Sequence, residues 1–153
     1  MKKVLIALDY GPTAQTVAEK GFKLAKELSS EIVLLHVVED PAYYSAPEYS
    51  PIMGFSGFNV ASLQDALKDV KSSAQGFLNK VKEHLGDDNV GIMVQDGEIA
   101  KTIISAAKDI EADIIIMGSH GRRWLDKILM GSVTEEVLHS ITIPLYIIPT
   151  AKK

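Results

Sequence analysis

The chain reads as an α/β protein built on one open parallel β-sheet with helices on both faces. Three observations predict this. Five short apolar runs are continuous rather than alternating, as strands covered on both sides are. They are rich in β-branched residues, which favours strand over buried helix. Amphipathic stretches of helical length separate them, and strands alternating with helices of this length form parallel sheets through right-handed crossovers.

The first run is Val4 to Leu8. A helix follows, with apolar or small residues at Ala14, Val17, Ala18, Gly21, Leu24, Ala25 and Leu28, one face at three-four spacing. The second run is Ile32 to Val38, interrupted only by His36. The next helical pattern is Leu63, Leu67, Val70, Ala74, Phe77, Leu78, Val81 and Leu85. Val90 to Val94 is the third run, followed by a helix marked by Ile99, Ile103, Ile104, Ala107 and Ile110. Ile114 to Met117 is the fourth run. A short last helix carries Val133, Val137, Leu138 and Ile141, and Leu145 to Ile148 closes the β-α-β-α-β-α-β-α-β order.

The 153 residues correspond to one domain, expected to span 1–153, with no break in composition to divide it. A chain of this length buries roughly 68–70% of its unfolded surface, enough for a core without staples. There is no cysteine, which excludes a disulfide framework, a thiolate metal site and a cysteine nucleophile. A formal net charge of −4 argues against a general nucleic-acid binder, because phosphate backbones attract basic surfaces. The apolar run after Lys3 has only five residues, too few for a signal peptide or a membrane span. A cytoplasmic protein without membrane insertion is expected.

Residues 39–61 fit neither a strand nor a helix pattern. They hold Pro41, Pro47 and Pro51 and five of the ten aromatic residues, Tyr43, Tyr44, Tyr49, Phe55 and Phe58. A connection of this length is either a mobile surface loop or a functional segment. The aromatic content, unusual for disorder, makes a lid or a subunit contact the competing expectation.

In open parallel sheets, ligands bind beyond the carboxyl ends of the strands where the strand order reverses. The informative place here follows the fourth run. Gly118-Ser119-His120-Gly121 leads, ten residues on, to Gly131-Ser132 at the start of the last helix. Glycine lets backbone approach a phosphate closely. A helix start presents free N–H groups and a positive dipole end. Gly118, Gly121 and Gly131, with the amides of Ser132 and Val133, therefore make a candidate phosphate cradle. Arg122, Arg123 and Lys127 are nearby positive charges. The plainer readings are a turn for the glycines, a capping box for Ser132 and Glu135, and a solvated face for the basic residues. Asp9, after the first strand, either faces a ligand or only starts a turn.

The spacing Gly118-x2-Gly121-x9-Gly131-Ser132 resembles the G-x2-G-x9-G-(S/T) signature of the ATP-binding branch of the universal stress protein family. Ala112 to Gly121 and Leu129 to Leu138 are similar to that family's most recognisable stretches, and the resemblance runs over the whole chain. One departure lies at Asp9-Tyr10-Gly11, where members often read Asp-Gly-Ser.

The resemblance implies strand order 3-2-1-4-5 in a Rossmann-like fold of the adenine nucleotide alpha hydrolase type. It implies ATP across the carboxyl edge. The adenine would be read by Val38 main-chain atoms, with Met117 closing the apolar side. Asp9 and Gly118 would face the ribose. Gly121, Gly131, Ser132 and Val133 would hold the phosphates, while His120, which either meets the ligand or is solvent-exposed, and Arg122, a candidate positive charge, stand in the glycine loop on the residues' own reading. It also implies a homodimer through the last strand, Leu145, Tyr146 and Ile147, which would otherwise be an exposed apolar edge. The alternative for that strand is a core strand blunted by Pro144 and Pro149.

Catalytic machinery is sparse. The histidines 36, 84, 120 and 139 show no metal-site spacing. There is no P-loop lysine and no nucleophile elbow. No paired carboxylates are placed for a metal, so any Mg²⁺ would be held by phosphates and water. The expectation is an ATP-binding regulator acting on an unknown protein partner. A slow ATP hydrolase and a nucleotide-independent interaction module are the alternatives.

Overall fold

The computed structural model describes residues 2–39, 60–119 and 131–150, with backbone only for 60–66. Nine elements follow one another among them. They are β1 (Lys3–Ala7), α1 (Ala14–Glu27), β2 (Glu31–Glu39), α2 (Val60–Leu85), β3 (Gly91–Gly97), α3 (Ile99–Asp109), β4 (Ile114–Gly118), α4 (Ser132–Ser140) and β5 (Leu145–Ile148). The sheet order is β3-β2-β1-β4-β5, every pair parallel, as the resemblance implied.

The continuous apolar runs are explained by burial on both faces. Val4 and Ile6 pack on one face with Val17 and Ala18 of α1, Leu34 of β2 and Leu78 of α2. Leu5 points the other way, toward Leu35, Ile103 and Ala107 of α3, Ile115 and Val137 of α4. Successive residues of one strand thus serve two cores. Burying each large aliphatic side chain contributes roughly 1.5–3 kcal/mol.

Gly21 lets α1 lie close to the sheet. A Cβ there would stand 3.1 Å from Ile6 Cδ1 and 3.2 Å from Ile116 Cγ2. Gly97, at φ +142°, makes the turn from β3 into α3, a backbone conformation that side chains disfavour.

Strand limits differ from the sequence reading by one residue at several ends of β1 to β4, and by three at the end of β3. β3 runs to Gly97, beyond Val94, through the polar Gln95 and Asp96. As an outer strand it pairs on one side only, so polar side chains are tolerated there. β2 follows it to Glu39, paired with Gly97, whereas the β1–β2 register ends at Ala7 and Leu35. β2 therefore projects past β1 at the carboxyl edge. Of the segment 39–61, expected to fit neither pattern, Glu39 belongs to β2 and residues 60–61 to α2; the rest lies outside the described residues, as do His120, Gly121 and Arg122.

Candidate functional site

Where β1 stops and β4 follows it, the helices diverge: α1 leaves β1 on one face and α4 leaves β4 on the other. The hollow between them has a volume of about 620 Å³, within the range of small-molecule sites. Asp9, Val38, Met117, Gly118, Gly131, Ser132 and Val133 all line it. The chain thus brings together seven candidate residues from separate segments. A second hollow, about 280 Å³, lies at the β3 edge beside Gln95, Asp96, Lys101 and Thr102, away from the point where the sheet opens.

At one end of the larger cavity stands the start of α4. Gly131, extended at φ −67° and ψ 155°, is the cap residue and makes no side-chain cap bond. The Glu135 N–H reaches the Gly131 carbonyl at 3.0 Å, so the amides of Ser132 and Val133 precede the first helical bond. Gly131 to Thr134 all line the cavity, which puts the helix start and its positive dipole end at the cavity wall. The expected capping box is not formed. Ser132 is already the first helical residue, one position too late to cap. Glu135 turns toward His139 at 3.8 Å instead. The first turn is anchored differently, by the Thr134 hydroxyl donating to the Gly118 carbonyl at 2.9 Å.

The opposite end is shaped by β1 and β2. Leu8 N–H donates to the Leu35 carbonyl at 2.8 Å, which continues the ladder one residue past the strand. In a regular parallel ladder the Leu8 carbonyl would next receive the Val37 N–H. Here the buried His36 ring takes it, Nδ1 donating at 2.8 Å. Main-chain groups alternate sides along a strand, so Val37 presents its N–H and C=O on the side where β1 has ended. Those of Val38 face β3, where it pairs with Asp96. The main-chain edge that faces the cavity is thus that of Val37, one residue before the position expected.

Asp9 does start a turn: its Oδ1 accepts the Gly11 N–H at 2.8 Å. Asp9 nevertheless lines the cavity. Tyr10, where the family pattern differs, has its ring 4.3 Å from that of His36 and 4.9 Å from that of Phe77, and is 41% exposed. With Val70 it forms an apolar rim.

Sequence reasoning pointed to the end of strand two, from Val37 on, but gave the main-chain contact to Val38, and it missed Val17, Ile103 and Thr134 in the lining. The available signal was the period-two alternation of β2, which singles out Val37 once the neighbouring strand's end is known. Among the described lining residues, Asp9 and Glu39 are the only carboxylates, and no lysine or arginine joins them. Among the described residues, positive potential there comes from the α4 start. Two described carboxylates outside the cavity are held low. Glu19 is held below its usual range by hydrogen bonds from Gln15 and His84. Asp87 is held low by the Asn89 amide and by Lys26. No group of three or more His, Asp or Glu suited to a metal occurs among the described residues. Nor is any described helix long and apolar enough to cross a membrane.

Comparison with known proteins agrees with this architecture. The profile of the "Universal stress protein family" matches residues 1–149. Universal stress protein MJ0577 of Methanocaldococcus jannaschii is 35% identical over 155 residues, covering 96% of this chain and 94% of the relative. The solved structure of MJ0577 superposes with a TM-score of 0.78 at 28% identity, over 99% of this chain and 98% of that one. A universal stress protein from Archaeoglobus fulgidus, solved in complex with dAMP, shares the fold at a TM-score of 0.54 and 17% identity, with 96% and 97% coverage. A further universal stress protein structure, in complex with cAMP, does so at 0.62 and 15%, with 98% coverage of each chain. The chain belongs to the universal stress protein family.

Proposed function

We propose that this protein binds ATP in the cavity at the carboxyl edge and acts as a nucleotide-dependent regulator. One observation carries the reading: a single cavity has outward amides of a helix start at one end and the main-chain edge of Val37 at the other. The first suits an anion. The second offers a donor and an acceptor side by side, which suits the edge of a base. That distant fold relatives have been solved with dAMP and cAMP supports a nucleotide as the ligand class.

In this reading the adenine lies near Val37 and Val38, with Met117 on its apolar side. Asp9 and Gly118 face the ribose. Gly131, Ser132 and Val133 hold the phosphates, joined by His120, Gly121 and Arg122 from the segment outside the described residues. Mg²⁺, where it accompanies ATP, is held by phosphate oxygens and water. The whole of 1–153 acts as one cytoplasmic domain. Two copies pair through β5, whose Tyr146 is 48% exposed. Regulation requires that ATP bind one conformation better than another, and so alter the surface shown to a protein partner.

The test is mass spectrometry of the small molecule released from freshly purified, denatured protein, followed by calorimetry with ATP. Recovery of ATP and saturable binding are expected, with ATP surviving prolonged incubation. Steady accumulation of ADP that disappears in Gly131→Val would make the protein a hydrolase instead. Absence of any nucleotide binding would leave an interaction module.

A further inference from the structure

Ser119 does not line the cavity, yet it joins the three elements around the phosphate end. It is buried, as is Thr150 beyond β5. Its N–H donates to the Ile148 carbonyl at 2.9 Å, which extends the β4–β5 ladder past Gly118. In a regular parallel ladder the next bond would run from Thr150 N–H to the Ser119 carbonyl. It does not. The Thr150 N–H goes to the Ser119 hydroxyl oxygen at 2.9 Å, and the two hydroxyls lie 3.2 Å apart. The Ser119 carbonyl instead receives the Gly131 N–H at 2.6 Å. The side chain thus takes over the sheet bond that belongs to its own carbonyl, and the carbonyl is used to tether the start of α4.

We propose that Ser119 is the positioning residue of the phosphate end: by replacing its carbonyl in the ladder with its hydroxyl, it fixes Gly131 and so aims the Ser132 and Val133 amides into the cavity. Without the hydroxyl, Thr150 N–H has a regular partner available, the Ser119 carbonyl. Taking it weakens the Gly131 tether without breaking the sheet. The effect falls on one end of the cavity only. The hydrogen-bond exchange is independent of any ligand, whereas its effect on affinity rests on the ATP reading above.

The experiment compares the full chain with Ser119→Ala and Ser119→Thr. Amide hydrogen exchange is followed at Gly131 and Thr150, and binding of ATP and of adenosine is measured by calorimetry. In Ser119→Ala, Gly131 should lose protection while Thr150 keeps it. ATP affinity should fall about tenfold, the scale of one hydrogen bond, with adenosine affinity unchanged. Ser119→Thr, which keeps the hydroxyl, should restore both. Ser119→Cys, close in shape but a poor acceptor, replaces the alanine variant if that one folds badly. Gly131 protection unchanged in the variant lacking the acceptor would overturn the proposal. So would parallel losses at Gly131 and Thr150, or of ATP and adenosine together, since these mark general loosening. If the wild type binds neither ligand, the ATP reading fails alone, and the exchange data still decide the role of Ser119.

Discussion

The His36 ring bonds the Leu8 carbonyl through Nδ1 at 2.8 Å, and the carbonyl can only accept, so Nδ1 carries the proton. This contact occupies the acceptor that a continued ladder would give to Val37. His36→Phe keeps an aromatic ring but loses the donor. The Leu8 carbonyl is then open to the Val37 N–H, and the ladder can close over the end of the cavity proposed for the base. ATP and adenosine affinities should fall together, by about tenfold, the effect of one redirected hydrogen bond. Calorimetry on both ligands checks this. An adenosine affinity equal to wild type would remove Val37 from the base site.

Gly131 sits at φ −67° and ψ 155°, a conformation open to any residue. Gly131→Val is therefore expected to fold, with a stability change within about 1 kcal/mol by denaturant titration. Gly131 lines the cavity at the helix start, so in the proposed ATP site the added side chain competes with the phosphates for that space. ATP affinity should drop at least about tenfold, on the scale of a lost charge-assisted hydrogen bond. Unchanged binding in calorimetry would move the phosphates elsewhere.

Tyr146 is 48% exposed on β5, an outer strand of the sheet. If a second copy covers this edge, Tyr146→Lys places a charge in the interface, and light scattering should report a monomer where the wild type is a dimer. A dimer that persists puts the interface on another surface.

Asp87 accepts the Asn89 N–H at 2.9 Å and pairs with Lys26 at 3.1 Å, bridging the end of α1 to the turn after α2. The Asn89 amide, then Lys26, lowers its pKa. A carboxylate lowered in the folded state stabilises the fold above its unfolded pKa, and the contribution is lost as pH falls through the folded value. Asp87→Asn should thus lower the melting temperature slightly at neutral pH. Thermal melts in acid should show the two proteins converging. A difference that persists in strong acid would point to packing rather than charge.

Most of the fold is legible in the order of residues along the chain, and for a physical reason. Strands covered on both faces must be apolar at consecutive positions, so Val4 to Leu8 and Ile114 to Met117 identify themselves. That Gly118, Gly131 and Ser132 line the cavity is legible too, because close approach of backbone to a ligand restricts residue type. Less legible is anything set by hydrogen-bond choice. Ser132 followed by Glu135 has the letters of a capping box, but the helix starts one residue earlier in register than a capping Ser132 requires. Ser119 looks like a spacer between glycines, and its exchange of acceptors is visible only with Thr150 and Gly131 beside it.

The sequence by itself determined the alternation of strands and helices, and the clustering of glycines after β4. Both follow from local periodicity and from steric permission, which a linear chain displays. Only the tertiary structure decided which main-chain groups face the cavity. That depends on where one strand ends relative to its neighbour, Ala7 against Leu35, and on two side chains, His36 and Ser119, that take ladder bonds in place of main chain. Such choices are made between residues distant in sequence, each with more than one possible partner, and packing selects among them.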